Sequence, residues 1–520
     1  MRAHLISSAL ALSAIATLRI ESAHADTWGS LEREITEPPP HGPTRPGAPP
    51  PPDAPQAPGE PPAQAAPVER PSAPALPPID ADDQRPVPDY DRIDEPTTAG
   101  DVALWVPRVL LFPLYLTSEF IVRRPLGWVV TTAERNHWPA ILVDFFTFGP
   151  ERQAGIVPTG IIDFGVRPSV GLYFFWNEFL ADNNQLRARA ATGGSDWWRF
   201  NLADRIRLSP DQDIRLRGEF STRPDKVFEG FGPNRPDDRF RFGQTLYEGQ
   251  LVYEAELWRS SRVETFVGVR DVDFDPTDRC CRDPSLASAI AAGRVVAPPG
   301  LDDGYTLLQH GVALTFDSRP RRFPRRLVKP DWVSPPGSGV RLQLRGRHSG
   351  GLRRARDRTP LENQRDHFVN YGATAGAFID VTGHQRVLGL QALADFADPL
   401  HEDGDIPFTE QVTLGGDRPM RGFVEGELVG RSAVGAQLSY SWPVWVWLDG
   451  SLDYSVGNVF GEHLEGFEWD LLRSSFGLGL QATSSRDHVF EVLIAVGTDT
   501  FRDGSDLESF RFVFGATSGF

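Results

Sequence analysis

The sequence predicts an all-β protein: a transmembrane antiparallel β-barrel of about 16 strands, preceded by a disordered Pro-rich segment and a short helical segment. Three observations carry that expectation. The chain opens with the layout of a secretory signal, and from about Gln153 onward short runs alternate apolar with charged residues. Near the C-terminus, Phe510-Arg511-Phe512-Val513-Phe514-Gly515 places every Phe on one side and Arg511, Val513 and Gly515 on the other. Successive side chains of a strand point to opposite faces, so this pattern suits a strand between an apolar medium and a polar lumen. A half-buried edge strand of a soluble sandwich would show the same alternation in any single strand.

Arg2 and His4 form a short n-region, Leu5 to Leu18 an apolar h-region, and Ala23-His24-Ala25 a small-residue cleavage site. Residues 1–25 therefore read as a signal peptide, with a mature start near Asp26. The apolar stretch is too short to span a bilayer, and no Cys stands beside the cleavage site to accept a lipid. Two cysteines in 520 residues give no disulfide framework. They are adjacent, Cys280-Cys281, and the expectation is an incidental pair, with a vicinal disulfide or a metal site as alternatives; four-ligand metal spacing is absent. A net charge of −17 argues against nucleic acid as a partner. The mean hydropathy of −0.31 disfavours helical spanning but suits a barrel, whose strands show lipid only every second residue.

Residues 26–100 read as a disordered periplasmic linker. From Glu37 to about Asp89 Pro dominates, as in Pro38-Pro39-Pro40 and Pro49-Pro50-Pro51-Pro52, and such a tract stays extended because it has too little to bury. A semi-rigid spacer and an unstructured tail are both consistent with it. Residues 101–150 form an amphipathic helical segment: Val109, Leu110, Leu111, Leu114, Phe120 and Ile121 mix with Arg108, Glu119, Arg123 and Arg124. Pro107, Pro113 and Pro125 break it into short helices, and its charges exclude a lipid span. A surface helix, a plug inside the barrel and a cap under it are the roles open to it.

Residues 151–520 are the barrel itself. Val340, Leu342 and Leu344 alternate with Arg341, Gln343 and Arg345; Ile214, Leu216 and Phe220 alternate with Arg215, Arg217 and Glu219. Trp198, Phe200, Leu202, Ile206 and Leu208 alternate with Arg199, Asn201, Arg205 and Arg207. About eleven candidate strands precede the long segment Asp398 to Gly430 and about five follow, an even total near sixteen. Tyr173, Phe174, Phe175, Trp176, Trp442, Trp445 and Trp447 sit at strand ends, where an interfacial girdle would lie; ordinary core packing is the alternative.

The long segment contains Gly415-Gly416-Asp417-Arg418-Pro419-Met420-Arg421-Gly422-Phe423. With it the chain resembles the BamA/TamA superfamily of outer-membrane assembly factors and transporters, the bacterial surface antigen family. The resemblance implies a loop after the eleventh strand that folds into the lumen and sets an Arg-Gly-aromatic tip, here Arg421, Gly422 and Phe423, against acidic residues of the wall. Asp317-Ser318-Arg319 with Phe323-Pro324 looks like the family's Asp-Thr-Arg turn, and Glu229-Gly230-Phe231-Gly232-Pro233-Asn234 like its Gly-rich hairpin. The runs Leu452 to Phe460 and Ser475 to Leu480 resemble two late strands of these barrels. Phe510, Phe512, Phe514 and Phe520 resemble the C-terminal signal by which the assembly machinery recognises a barrel, with Ser518-Gly519 lengthening the ending.

On the strand Val446 to Val456 the apolar set leaves Asp449, Ser451 and Asp453 for the lumen. A guanidinium in a narrow, partly dehydrated lumen needs a planar anionic partner, and Arg421 to Asp453 is the expected pair, with Asp449 as substitute. Gly422 is expected to permit the turn and Phe423 to wedge the tip. The preceding strand places Ser439 where many relatives carry glutamate, which predicts a looser lock. Relatives also carry periplasmic POTRA domains, and between Asp26 and Phe148 there is no room for that pattern once the Pro tract is set aside.

Those features predict an outer-membrane barrel with a periplasmic N-terminal segment, which inserts or translocates polypeptides or lipids through a loop-gated seam between its first and last strands. The alternative is a passive, anion-preferring channel or structural surface antigen, to which Arg-rich lumen faces and the acidic loop His401-Glu402-Asp403-Gly404-Asp405 would belong. Outer-membrane lipid and lipopolysaccharide, the barrel-assembly machinery and a polypeptide substrate are the expected partners. An enzyme is not expected, since the chain has no Ser nucleophile elbow, no His-Glu-x-x-His and no phosphate-cradling Gly loop, and no cofactor is expected.

Overall fold

The computed structural model describes residues 153–518, with interruptions at 182, 236–237, 279, 321–336, 353–366, 403, 417–418, 446–447 and 483–487, and before them 112, 120, 128, 132 and 146–149. The signal peptide, the Pro-rich linker, nearly all of 101–150, Phe323-Pro324, Trp447 and Phe520 lie outside the described residues.

Sixteen strands form the wall. The first six are β1 (Ala154–Asp163), β2 (Ser169–Asn177), β3 (Asn184–Gly194), β4 (Trp197–Ser209), β5 (Gln212–Phe228) and β6 (Phe240–Glu256). Next come β7 (Arg262–Asp275), β8 (Tyr305–Asp317), β9 (Gly339–Gly351), β10 (His367–Asp380) and β11 (Val387–Pro399). After a long loop the wall resumes with β12 (Ser432–Trp445), β13 (Leu448–Phe460), β14 (Arg473–Ala482), β15 (His488–Thr500) and β16 (Leu507–Ser518). Each pairs antiparallel with the next, and β16 pairs with β1, so the sheet closes on itself. The expected division, eleven strands before the long segment and five after it, is the one observed.

Burial decides between barrel and sandwich. On β9, Val340, Leu342 and Leu344 are 51%, 44% and 46% exposed, whereas Arg341 and Gln343 are 8% and 6% exposed. A soluble sandwich would bury the first set and wet the second; the inverted order is that of a barrel with lipid outside. The same inversion holds on β5, where Leu216 is exposed and Asp213 and Arg215 are buried. On β16, Phe510 and Phe514 are exposed and Arg511 and Val513 buried, as the sequence suggests.

The girdle is only partly as expected. Phe174 and Trp176 face outward, their rings 6.4 Å apart, and Tyr440 and Trp442 stack at 5.5 Å. Tyr173 is 2% exposed, with the Phe175 ring stacked on it at 6.3 Å. Both belong to the inward set of β2, because consecutive aromatics in a strand must divide between its two faces. A further outward ladder joins Trp198, Phe200, Phe220 and Tyr247 across β4, β5 and β6.

Antiparallel order gathers the loops after odd-numbered strands at one end, here called upper. Phe408 of the long loop lies there inside the wall, with ring centres 5.4, 5.1 and 5.1 Å from Phe228, Phe242 and Phe274. Leu286 and Ala289 of a short helix, α1 (Leu286–Ala291), pack into the same cluster. Ser285 caps α1 by accepting from the Ser288 amide at 3.3 Å. The loop carrying α1 also holds Cys280 and Cys281, which are bonded to each other, so the pair is a vicinal disulfide and not two incidental thiols.

Candidate functional site

The loop between β11 and β12 is fastened to two different stretches of wall. Its first anchor is Glu410, in a short 3-10 turn, Phe408–Glu410. The side chain is fully buried and accepts from Arg270 of β7 at 2.8 Å and from Tyr305 of β8 at 2.9 Å; Arg347 of β9 pairs with it at 2.9 Å. Asn370 of β10 donates to its carbonyl at 2.9 Å. Burial alone would raise the carboxyl pKa, but the two guanidinium groups overcome it and hold it at about 2. Nothing periodic in the sequence marks Glu410, since it lies in a loop.

A two-stranded hairpin, Val412–Leu414 with Leu428–Gly430, then carries the loop to its tip. Arg421 pairs with Glu491 of β15, with side-chain exposures of 9% and 3%. The partner is thus Glu491 and not Asp453. Asp453 faces inward close enough for Arg421 to act on it electrostatically, but its hydrogen bond comes from Gln437 at 3.1 Å. Asp449 lies on the same face of β13, four residues nearer the lower end. Ser439 pairs in register with Asp453. Glu491 stands two strands beyond β13, and the pair is buried instead of loose. Its signal was a lone acid among Val489, Phe490, Val492, Leu493, Ile494 and Ala495.

The tip backbone is held as tightly as its charge. Ser455 of β13 accepts from the Met420 amide at 3.1 Å, and Ser475 of β14 accepts from the Gly422 amide at 2.8 Å. Ser509 of β16 donates to the Gly422 carbonyl at 2.9 Å. The residue in the left-handed region is Met420, at φ 75°, so Gly422 is not what permits the turn. Gly422 serves close approach: a Cβ there would lie 2.3 Å from the Val496 carbonyl. Phe423 is fully buried over Gly497, as a wedge should be.

The second part of the site is the seam. β16 and β1 share three register pairs, Val513 with Asp163, Phe514 with Ile162 and Gly515 with Ile161, with one further bond from the Phe164 amide to the Phe512 carbonyl at 2.9 Å, whereas β15 and β16 pair along nearly their whole length. Ala154 and Gly155 pair with Phe148 and Thr147, and from Ile156 to Gly160 β1 pairs with β2 but not with β16. Pro158 lies in that stretch, which suits an edge because Pro has no N–H to offer a neighbour. Inside the lumen Arg511 binds Asp163 at 2.9 and 2.8 Å, and outside it Phe164 packs edge-on to Phe512 at 5.2 Å.

Two further stretches singled out in the sequence are also anchored in the structure. Arg319 of the Asp317-Ser318-Arg319 turn is fully buried, pairs with Asp317 at 2.6 Å and lies 3.6 Å from the centre of the Phe378 ring. The Gly-rich hairpin from Glu229 reaches across the upper end, where the Gly232 amide donates to the Val429 carbonyl at 2.9 Å and Arg235 pairs with Glu508 of β16 at 2.6 Å.

Fold and site define a sixteen-strand transmembrane barrel whose lumen is crossed by the loop after its eleventh strand. Among solved structures it is similar to BamA from Haemophilus ducreyi lacking POTRA domains 1-3, at 12% identity and a TM-score of 0.47, covering 70% of each chain. CdiB from Acinetobacter baumannii is similar at 9% identity and 0.43, covering 70% of this chain and 59% of that one. CdiB from Escherichia coli is similar at 12% identity and 0.44, covering 69% and 62%. The chain therefore spans less than two thirds of either CdiB. No protein-family model and no curated protein matches the chain.

Proposed function

We propose that this protein lies in the outer membrane of a Gram-negative envelope, with its N-terminal segment in the periplasm. There it inserts or translocates polypeptides or lipids through a loop-gated barrel that opens between β1 and β16. The observation that carries the reading is the seam, closed by three register pairs and bordered by a Pro-bearing edge. A strand pair held by so few bonds is the weakest line in an otherwise continuous ladder. Lipopolysaccharide and outer-membrane lipid would surround the exposed face, the barrel-assembly machinery would insert the chain by its Phe-rich end, and a polypeptide would be the substrate. A signal peptide ending at Ala25 would deliver it. The reading requires no catalytic residue and no cofactor.

The test is a cysteine pair at Ile162 and Phe514, which face each other across the seam, with Cys280 and Cys281 replaced by Ser. In a deletion strain with an altered outer-membrane protein profile, the reduced pair should restore that profile and the oxidised pair should not. Equal rescue by both forms would sink the reading.

A second reading, an anion-preferring channel or structural surface antigen, draws on Arg187, Arg189, Arg205 and Arg215, all inward and buried on β3, β4 and β5. Conductance separates the two. With Phe408 and the hairpin from Glu229 packed into the upper lumen, small or flickering currents are expected in planar bilayers. A large, stable, anion-selective pore would favour the channel instead.

A further inference from the structure

We propose that Arg511 is the positioning residue through which the loop tip holds the seam shut, an inference that rests on the seam reading above. One guanidinium serves both structures. Its Nε and Nη2 donate to the two oxygens of Asp163 on β1 at 2.9 and 2.8 Å. Its Nη1 donates to the loop carbonyl of Gly416 at 2.5 Å and lies 3.4 Å from that of Arg421. The side chain is 7% exposed and that of Asp163 13%, so water is a poor substitute for either partner.

A guanidinium is a rigid planar fork, so the edge facing Asp163 and the edge facing the loop cannot be aimed independently. The loop carbonyls therefore fix the plane in which the seam carboxylate is met. They do so at the right height, because Asp163 is itself one of the three β1 residues that pair with β16. The tip is further tied to β16 by Ser509, two residues before Arg511. A tip seated on Glu491 thus keeps Arg511 aligned on β1, and a tip lifted from Glu491 removes the carbonyls that align it. Coupling between two sites is reciprocal, so opening the seam must loosen the tip by the same factor.

The experiment uses the full chain in liposomes with Cys280→Ser and Cys281→Ser, and spin labels at Val170→Cys on β2 and Ile494→Cys on β15, outward positions on either side of the seam. The population with a widened label distance reports opening. Arg421→Ala should raise it by about fivefold or more when Arg511 is present. In an Arg511→Lys background, whose point charge can face Asp163 but cannot also fork to the loop, Arg421→Ala should add nothing. Asp163→Asn, nearly isosteric, should raise the bilayer current by freeing the tip, a change that a merely structural role would not produce. It also replaces Arg511→Lys as the background should that variant fail to insert.

An equal rise in both backgrounds, or an unchanged current in Asp163→Asn, overturns the role of Arg511 while leaving the seam reading intact. The seam reading itself fails if no variant widens the distance, including Gly515→Val, whose added Cβ would lie 2.1 Å from the Gly160 carbonyl oxygen.

Discussion

Glu410→Ala is expected to lower barrel stability by about 3 to 5 kcal/mol, because removing one partner of a buried ion pair leaves the others charged and uncompensated. Two guanidinium groups lose this partner, those of Arg270 and Arg347, together with the hydroxyl of Tyr305; Arg270 keeps Glu248 at 3.0 Å, so Arg347 is the one that loses its carboxylate. Both arginines retain some exposure, which lets part of their charge reach water and places the cost toward the lower end of that range. The midpoint of urea unfolding in detergent or liposomes measures it, and an unchanged midpoint would mean that the loop is not anchored there. The sign of the pH dependence follows from the depressed carboxyl. A group whose folded pKa lies at about 2, below the ordinary 4.5, stabilises fully above the ordinary value and loses that contribution as pH falls toward 2. The wild-type barrel should therefore lose stability between about pH 4.5 and 2 more steeply than Glu410→Gln.

Gly422→Val is expected to lift the tip from the wall altogether. Its Cβ would meet the carbonyl carbon and oxygen of Val496 at 2.3 Å and the amide nitrogen of Gly497 at 2.5 Å. These are backbone atoms in a paired strand, so they cannot move aside as a flexible side chain would. Raising the tip breaks the hydrogen bonds with Ser475 and Ser509 and leaves Glu491 in the wall without Arg421, again about 3 to 5 kcal/mol for a stranded buried charge. Single-channel recording should show larger and more frequent openings than wild type, together with a lower unfolding midpoint. A variant with wild-type currents and wild-type midpoint would show that the tip does not depend on this approach.

The wall was legible in the sequence because strand periodicity is local: Val340, Leu342 and Leu344 against Arg341 and Gln343 suffice to define a two-faced strand. The position of the tip was legible too, since Arg421-Gly422-Phe423 stands between the eleventh and twelfth strands. Partners were harder. Arg421 is 70 residues from Glu491, and which inward acid it meets depends on how deeply the loop is inserted, a three-dimensional quantity with no period. Glu410 left no trace for the same reason, being a single acid in a loop whose partners come from three strands. Tyr173 was misassigned because lumen walls here are partly aromatic, so an aromatic residue does not by itself identify the lipid face. Arg511 and Asp163 lie at opposite ends of the barrel domain, and only closure of the sheet makes them neighbours.

The two anchors of the long loop have a mechanical consequence. Glu410 is tied to β7, β8, β9 and β10, while the tip is tied to β13, β14, β15 and β16. A hollow tube under sideways load fails by flattening, and a strut fixed to two stretches of its wall resists that collapse. The compressive pressure of the surrounding acyl chains is thus borne partly by a strut inside the tube, and cutting it would make the cross-section of this barrel respond to the tension and thickness of the bilayer around it.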